Sequence, residues 1–224
     1  MSRIARVVAP GQPHHVTQRG NRRLPTFFHE DDFATYIDLM AEWCAKLKVD
    51  IWAYCLMPNH VHLIAVPHST DALARAIGEA HRRYSLHINK REGWTGHLWQ
   101  DRFASFVMDE HHLLTAARYI ECNPVRAELV EAPSDYRWSS ARAHLTAQDD
   151  ILVHTKPLLS MMPDWRSFLA DPEQPDLTDA LRLHTRTGRP LGQPEFLSRL
   201  EENLGRPIAP RKRGPKPGAK AKRI

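Results

Sequence analysis

Two histidines separated by one residue are the first feature of the sequence that could carry chemistry. His60 and His62 stand at the beginning of a β-rich run over residues 61–66. Side chains alternate along a strand, so residues two apart point to the same face with Cα atoms roughly 7 Å apart. Two imidazoles on one face can form half of a metal site. Because the chain holds 14 histidines, two ordinary sheet histidines remain the alternative.

A tyrosine on a predicted helix is the second candidate. The apolar stripe of this helix is formed by Leu113, Leu114, Ala117 and Ile120. Tyr119 falls over roughly 90° from the middle of that stripe, on the same side as Asn123, four residues further on. The pattern directs Tyr119 towards polar surroundings, and a half-exposed surface tyrosine is the alternative. Pro124 disfavours helical backbone at Asn123, so we expect the helix to kink or end there.

The elements that position these residues follow the order β-α-β-β-α-β-α. They are predicted over residues 14–18, 31–47, 50–56 and 61–66, from Ser69 or Thr70 to Gly93, over residues 98–108, and from residue 109 to beyond Tyr119. This order predicts an α+β fold with a four-stranded antiparallel, ferredoxin-like sheet. We expect helices on one face of the sheet and a second face that is free to bind a partner.

The chain divides by composition into three parts. Residues 1–145 form the predicted main domain, and a proline-interrupted helical appendage follows over 146–210. Residues 211–224, which include Lys212 and Arg213, carry seven basic residues and no acidic residue and are predicted to be disordered. The whole chain has 31 basic and 26 acidic residues. The basic pI is therefore a property of the tail and does not by itself show that the folded part binds a polyanion.

Several classes of protein are excluded by composition. Three widely spaced cysteines argue against a disulfide framework and against a cysteine-rich zinc finger. No window approaches the roughly 18 apolar residues of a membrane span, and the first residues show no signal-peptide pattern. We expect a cytoplasmic protein without a membrane partner.

Three segments together resemble one protein family. They are MPNHVHL over residues 57–63, GHLWQDRFAS over 96–105 and ARYIECNPVR over 117–126. In this order they are similar to the REP-associated tyrosine transposases, a branch of the single-tyrosine HUH transposases of bacterial insertion sequences. The resemblance covers about residues 1–145.

The resemblance implies roles for four residues. His60 and His62 would be metal ligands for Mg²⁺ or Mn²⁺, Tyr119 the nucleophile, and Asn123 the third ligand, where the wider family usually has Gln. The implied reaction cleaves and rejoins single-stranded REP-like hairpin DNA through a 5′-phosphotyrosine link. His112 is a candidate proton acceptor. The relatives exchange helices between subunits, which implies a possible homodimer, although the C-terminal segment could leave the chain monomeric.

A DNA-contacting surface is predicted less directly. Candidate phosphate partners are Arg19, Arg22, Arg23, Arg82, Arg83, Arg102, Lys212 and Arg213. Trp99 and Phe103 could stack on bases. Both have the same parity in the predicted strand over 98–108, so ordinary core residues are the alternative, and Arg102 points to the opposite face.

Two other functions remain open at this stage. A DNA-binding protein of the same fold with lost catalysis would need neither Tyr119 nor the two histidines, which are all present. A hydrolase in which the histidines hold zinc would need a carboxylate base, and none is evident near the motifs. The leading prediction is a transposase associated with the nucleoid.

Overall fold

The structure, a computed structural model, describes residues 5–172 and 174–208. The predicted basic tail with Lys212 and Arg213 lies outside them. The described elements are β1 His14–Arg19, α1 Glu30–Leu47, β2 Val49–Met57, β3 His60–Pro67, α2 Ala72–Glu92, β4 Ala104–Val107, α3 Glu110–Glu121, α4 Asn123–Arg126, α5 Ala141–Thr146, α6 Lys156–Met161, α7 Trp165–Ala170, α8 Pro175–Thr187 and α9 Pro194–Leu204. No helix within these residues is long and apolar enough to cross a membrane.

The four strands form one antiparallel sheet in the order β2-β3-β1-β4. Combined with the chain order β1-α1-β2-β3-α2-β4, this is the ferredoxin-like arrangement, and the predicted fold class is confirmed. The central pairing of β1 with β3 sets Arg19 opposite His60 and Thr17 opposite His62. The end of β1 and the beginning of β3 therefore meet at one end of the two central strands.

Alternation along β3 sends its side chains to two different layers. Val61, Leu63 and Ala65 are buried in the core that α1 and α2 form on the first face. Ile64 is buried in the second core, which includes residues of α3. His60 and His62 share the parity of Ile64, so they also face the α3 side.

The second face of the sheet is not free, which corrects the prediction. It is covered by α3 and by the helices that follow residue 146. Buried apolar residues from this later region are Leu158, Trp165, Phe168, Leu181 and Leu191, and they share one core with Phe106 and Ile120. Their apolar side chains cover the sheet because they have no other surface on which to be buried. The boundary predicted at residue 145 stays a prediction.

The fourth strand is shorter than predicted, with four residues instead of a run over 98–108. Its pairing with β1 ends at Thr17 and Ala104. Beyond that point the side-chain amide of Gln18 donates to the carbonyl oxygens of Gln100, at 3.2 Å, and Asp101, at 3.1 Å. Asp101 has a φ of 54°, a left-handed conformation that no regular strand contains. The strand is therefore interrupted at residues 101–103, and pairing resumes beyond them, where the backbone N–H of Gln100 donates to the backbone oxygen of Arg19 at 2.8 Å and Trp99 forms an isolated bridge with Gly20.

Candidate active site

The two histidines of the motif lie together on the α3 side of the sheet. Their ring centroids are 5.0 Å apart, with an angle of 78° between the planes. Burial, followed by the charge of Arg19, lowers the pKa of His60 to about 4. Burial also lowers the pKa of His62 well below its usual value. Both rings are therefore neutral near pH 7, the state in which imidazole binds a metal.

Hydrogen bonds define which nitrogens remain available. Nδ1 of His60 lies 2.6 Å from Oδ1 of Asn59. An amide oxygen only accepts, so Nδ1 carries the proton and the lone pair is on Nε2. Nδ1 of His62 lies 3.0 Å from Nε2 of His15, a buried residue of β1. When His62 donates in this pair, its Nε2 also presents a lone pair.

Tyr119 lies against this histidine group near the end of α3. Its ring centroid is 5.7 Å from that of His62 and 6.5 Å from that of His15. The guanidinium carbon of Arg126 lies 4.1 Å from the centre of the tyrosine ring. Nη2 of Arg126 also donates to the backbone oxygen of Tyr119 at 2.9 Å. The side chain is half-buried, and these contacts hold the ring beside His62.

Tyr119 and the two histidines open into one cleft of about 370 Å³. The cleft walls contain four arginines, which come from β1, the segment before β4, and α8. They are Arg19, Arg102, Arg182 and Arg186. Such a density of guanidinium groups favours phosphate groups as ligands.

Asn123 is not among the described residues that line this cleft. Helix α3 ends at Glu121, and Asn123 begins the short helix α4 after a residue with φ of −85° and ψ of 0°. This break agrees with the effect expected of Pro124. The amide of Asn123 is buried, and its Nδ2 has no hydrogen-bond partner among the described residues.

The described residues provide no His, Cys, Asp or Glu side chain as a third metal ligand beside His60 and His62. Within residues 5–172 and 174–208, no group of three or more His, Cys, Asp and Glu side chains could hold a metal ion. A metal ion held by His60 and His62 would therefore need further ligands, such as an amide oxygen, water or a phosphate oxygen. Open positions of this kind suit a metal that acts on a phosphodiester.

Comparison with known proteins assigns the family. The model of the family described as "Transposase IS200 like" matches residues 11–123. The chain belongs to this family. A candidate REP-associated tyrosine transposase of Haemophilus influenzae is 25% identical over 116 residues, which cover 47% of this chain and 66% of the relative. The chain therefore spans less than two thirds of that relative's length.

A solved structure of a REP-associated tyrosine transposase bound to a REP hairpin has the same fold. It aligns with a TM-score of 0.56 and 21% identity, and covers 67% of this chain and 90% of that chain. At this identity the likeness shows the fold alone. The matched segment of the family contains His60, His62, Tyr119 and Asn123 and ends before α8.

The other arginines predicted to contact DNA lie outside the cleft of this IS200-like family member. Arg22 and Arg23 are exposed in a 3₁₀ turn, with φ angles of 55° and 63°. Arg82 and Arg83 are exposed on α2, and both pair with Glu79, at 2.5 and 3.0 Å. Arg82 also borders a surface groove of about 610 Å³.

Trp99 and Phe103 are mostly buried in the core, and both border the same groove as Arg82, so base stacking stays a prediction. Their exposed fractions are 8% and 7%. Nε1 of Trp99 donates to the backbone oxygen of His81 at 3.3 Å. The guanidinium carbon of Arg6 lies 3.6 Å from the centre of the Phe103 ring. Arg102 lines the cleft beside Tyr119 and also borders the groove of about 610 Å³ together with both rings, so its predicted orientation away from them stays a prediction.

Sequence reasoning missed four residues of the site, His15, Arg126, Arg182 and Arg186, and misjudged His112. His15 is adjacent to His62 only through the register of β1 and β3, and Arg126 belongs to the third motif without an assigned role. Arg182 follows the family match, and no sequence signal identified it. His112 lies two helical turns from Tyr119, about 10 Å along the axis, and its Nδ1 is 2.6 Å from Oδ1 of Asp109.

Proposed function

We propose that this protein is a metal-dependent transposase that cleaves and rejoins single-stranded REP-like hairpin DNA through a 5′-phosphotyrosine intermediate. One observation carries the proposal: the ring of Tyr119 lies 5.7 Å from that of His62 at a cleft lined by arginines. Membership of the IS200-like transposase family supports the activity. The hairpin bound to the structural neighbour supports the choice of substrate.

The residues present fit a divalent cation. His60 and His62 would hold Mg²⁺ or Mn²⁺ through Nε2, and Asn123, the last residue of the family match, is the proposed third ligand through Oδ1. When bound there, the cation would polarise the scissile phosphodiester and offset negative charge on its oxygens.

The protein's own groups account for the covalent step. The phenol of Tyr119 loses its proton, and Oη forms a bond to phosphorus while the bond from phosphorus to the 3′ oxygen breaks. The departing 3′ oxygen takes up a proton and becomes a free hydroxyl. The phosphotyrosine ester keeps the energy of the broken bond, so a 3′ hydroxyl can reverse the step and rejoin strands without ATP.

The arginines bind and orient the DNA. Arg19 and Arg102 lie at the cleft wall beside Tyr119, where guanidinium groups can hold the phosphates next to the scissile bond. Arg22, Arg23, Arg82 and Arg83 are proposed to contact the more distant backbone of the hairpin. Positioning of this kind supplies a large part of the rate enhancement in transfer reactions.

A covalent-adduct assay tests the proposal. Labelled REP hairpin is incubated with the full chain and Mg²⁺ or Mn²⁺, and adducts are resolved on a denaturing gel. Wild type and Tyr136→Phe are expected to form the adduct, and Tyr119→Phe is expected to bind DNA without forming it. Tight binding without an adduct in wild type would indicate a DNA-binding protein. Cleavage that survives Tyr119→Phe would indicate a hydrolase.

A further inference from the structure

Helix α8 reaches the candidate active site from a part of the chain beyond the family match, which ends at residue 123. Its buried residues are Thr178 and Leu181, and Leu181 shares a core with Phe106 of β4 and Leu113 of α3. The ring of His184 adds a contact with Phe106, at 5.9 Å between centroids. These contacts fix the helix against the sheet and α3.

One face of α8 forms a wall of the cleft. Arg182, Thr185 and Arg186 all line it together with Tyr119 and His60. Residues at i, i+3 and i+4 lie on one side of a helix, so a single orientation of α8 explains all three contacts. Oγ1 of Thr185 is bonded to the backbone oxygen of Leu181 at 2.9 Å, which leaves the two guanidinium groups as the charged groups of this wall.

Arg182 is held in place by a residue one turn earlier. Its Nη1 donates to Oδ1 of Asp179 at 3.0 Å, and its side chain is 54% exposed. Hydrogen bonding to the Tyr119 phenol, followed by hydrogen bonding to Asp179, raises the pKa of Arg182. The guanidinium therefore carries a permanent positive charge beside the oxygen of the tyrosine.

Arg126 and Arg182 contact different parts of Tyr119. Arg126 covers the ring face, 4.1 Å from its centre, and binds the backbone oxygen. Arg182 lines the cleft together with Tyr119, and its guanidinium is near enough to the phenol for the two groups to interact. Loss of Arg126 would release the ring, whereas loss of Arg182 would leave the ring in place and remove a charge from the attacking oxygen.

We infer that Arg182 is a catalytic residue, whose guanidinium orients the Tyr119 oxygen and balances its negative charge as the proton departs to solvent and the bond to phosphorus forms. The inference rests on the proposed function. It also assigns a role to the region after residue 146, because α8 completes the active site from the same chain. Donors aimed at a developing oxyanion typically contribute 10²–10³-fold to a rate.

The test compares the full-length variants Arg182→Ala and Arg182→Lys with wild type. The matched control is Arg199→Ala, an exposed arginine of α9 away from the cleft. The single-turnover rate of adduct formation is measured at saturating hairpin with Mn²⁺, and the Kd for the same hairpin is measured separately. Thermal unfolding of each variant shows whether it folds.

The alanine variant is expected to form the adduct about 10²-fold more slowly, with a Kd within about tenfold of wild type, and the lysine variant is expected to be intermediate. Guanidinium chloride at millimolar concentration is expected to raise the rate of the alanine variant at least tenfold. Urea, which has a similar shape but no charge, is expected to leave that rate unchanged. This rescue separates a chemical role from a structural one.

The possible failures are distinguishable. A wild-type rate in folded Arg182→Ala overturns the inference and leaves the proposed function intact. A loss of rate that neither lysine nor guanidinium restores also overturns it, because it would show that Arg182 only packs. A wild type that forms no adduct with either metal overturns the proposed function, and the role of Arg182 with it.

Discussion

The rings of His62 and His15 lie edge to edge, with centroids 5.2 Å apart and planes within 11° of each other. Both rings are buried, and a hydrogen bond of 3.0 Å joins Nδ1 of His62 to Nε2 of His15. The partner of a metal-binding histidine commonly fixes its tautomer and its orientation. His15 is therefore placed to direct Nε2 of His62 towards a metal ion.

Replacement of His15 by Phe is expected to weaken metal binding while an aromatic ring is kept at this position. Loss of the hydrogen bond should lower the Mn²⁺ affinity about 10- to 100-fold, as measured by electron paramagnetic resonance titration without DNA. His111→Gln, at an exposed position on α3, serves as the control and should keep the wild-type affinity. Unchanged affinity in the His15 variant would show that the pair only packs.

Asn123→Ala tests the proposed third ligand. If the buried amide oxygen binds the metal, the Mn²⁺ affinity should fall at least about tenfold, by analogy with other lost contacts at metal sites. Asn203→Ala, an exposed position on α9, should have no effect. A variant with lower stability and wild-type metal affinity would assign Asn123 to packing alone.

Glu121 joins α3 to two later helices through a fully buried network. One carboxylate oxygen accepts from Ser140 at 2.5 Å and lies 2.6 Å from Nδ1 of His144, and the other accepts from Nε1 of Trp165 at 2.8 Å. Glu121→Ala leaves these groups unpaired and should lower the free energy of unfolding by about 3–5 kcal/mol, as measured in urea. Exposed Glu131→Ala should change it by less than about 0.5 kcal/mol. A similar effect in both variants would contradict the importance of the network.

Buried histidines should make the protein sensitive to mild acid. Burial lowers the pKa of His14, His15 and His60 to about 4, and that of His81 to about 3. An unfolded histidine titrates near 6.5, so below that pH the unfolded chain binds more protons than the folded chain. The stability that depends on these neutral histidines is fully present above about pH 6.5 and is lost as the pH falls towards 4.

Circular dichroism against pH, with EDTA to remove metals, measures this loss. Each such histidine contributes up to about 1.4 kcal/mol per pH unit, so the midpoint should lie between pH 6.5 and 4. Carboxylates with a lowered pKa, such as Glu79 at about 2, affect the free energy of unfolding only below about pH 4.5. Exposed His87→Gln should leave the midpoint unchanged. A protein that stays folded to pH 3 would contradict the burial of neutral histidines.

The sequence was sufficient to predict the sheet and the position of its motif. The period of two over β3 placed His60 and His62 on one face, and the helical period placed Tyr119 outside the apolar stripe, and both patterns depend only on local geometry. The strand predicted over 98–108 is interrupted near Asp101, which has a left-handed φ of 54°, and there the side-chain amide of Gln18 binds the carbonyl oxygens of Gln100 and Asp101. Such a contact has no periodic signature.

The parts of the site that escaped prediction are those made by distant segments. Arg182 lies 63 positions after Tyr119 in the sequence and is brought near it by the packing of Leu181. A lone arginine on the polar face of a helix has no sequence pattern that indicates a functional role. His15 becomes a partner of His62 only through strand register. The second face of the sheet is covered by apolar residues such as Trp165 and Phe168. Composition alone does not indicate the surface against which such residues pack.

The anchoring of α3 by Glu121 has a consequence for how transfer between two DNA ends would be organised. The buried carboxylate holds α3 to its own chain, and Tyr119 lies next to the histidines of the same molecule. Under the proposed chemistry, one molecule then attaches covalently to one strand end at a time. Excision of a segment with two ends would require two molecules acting together or two successive turnovers by one.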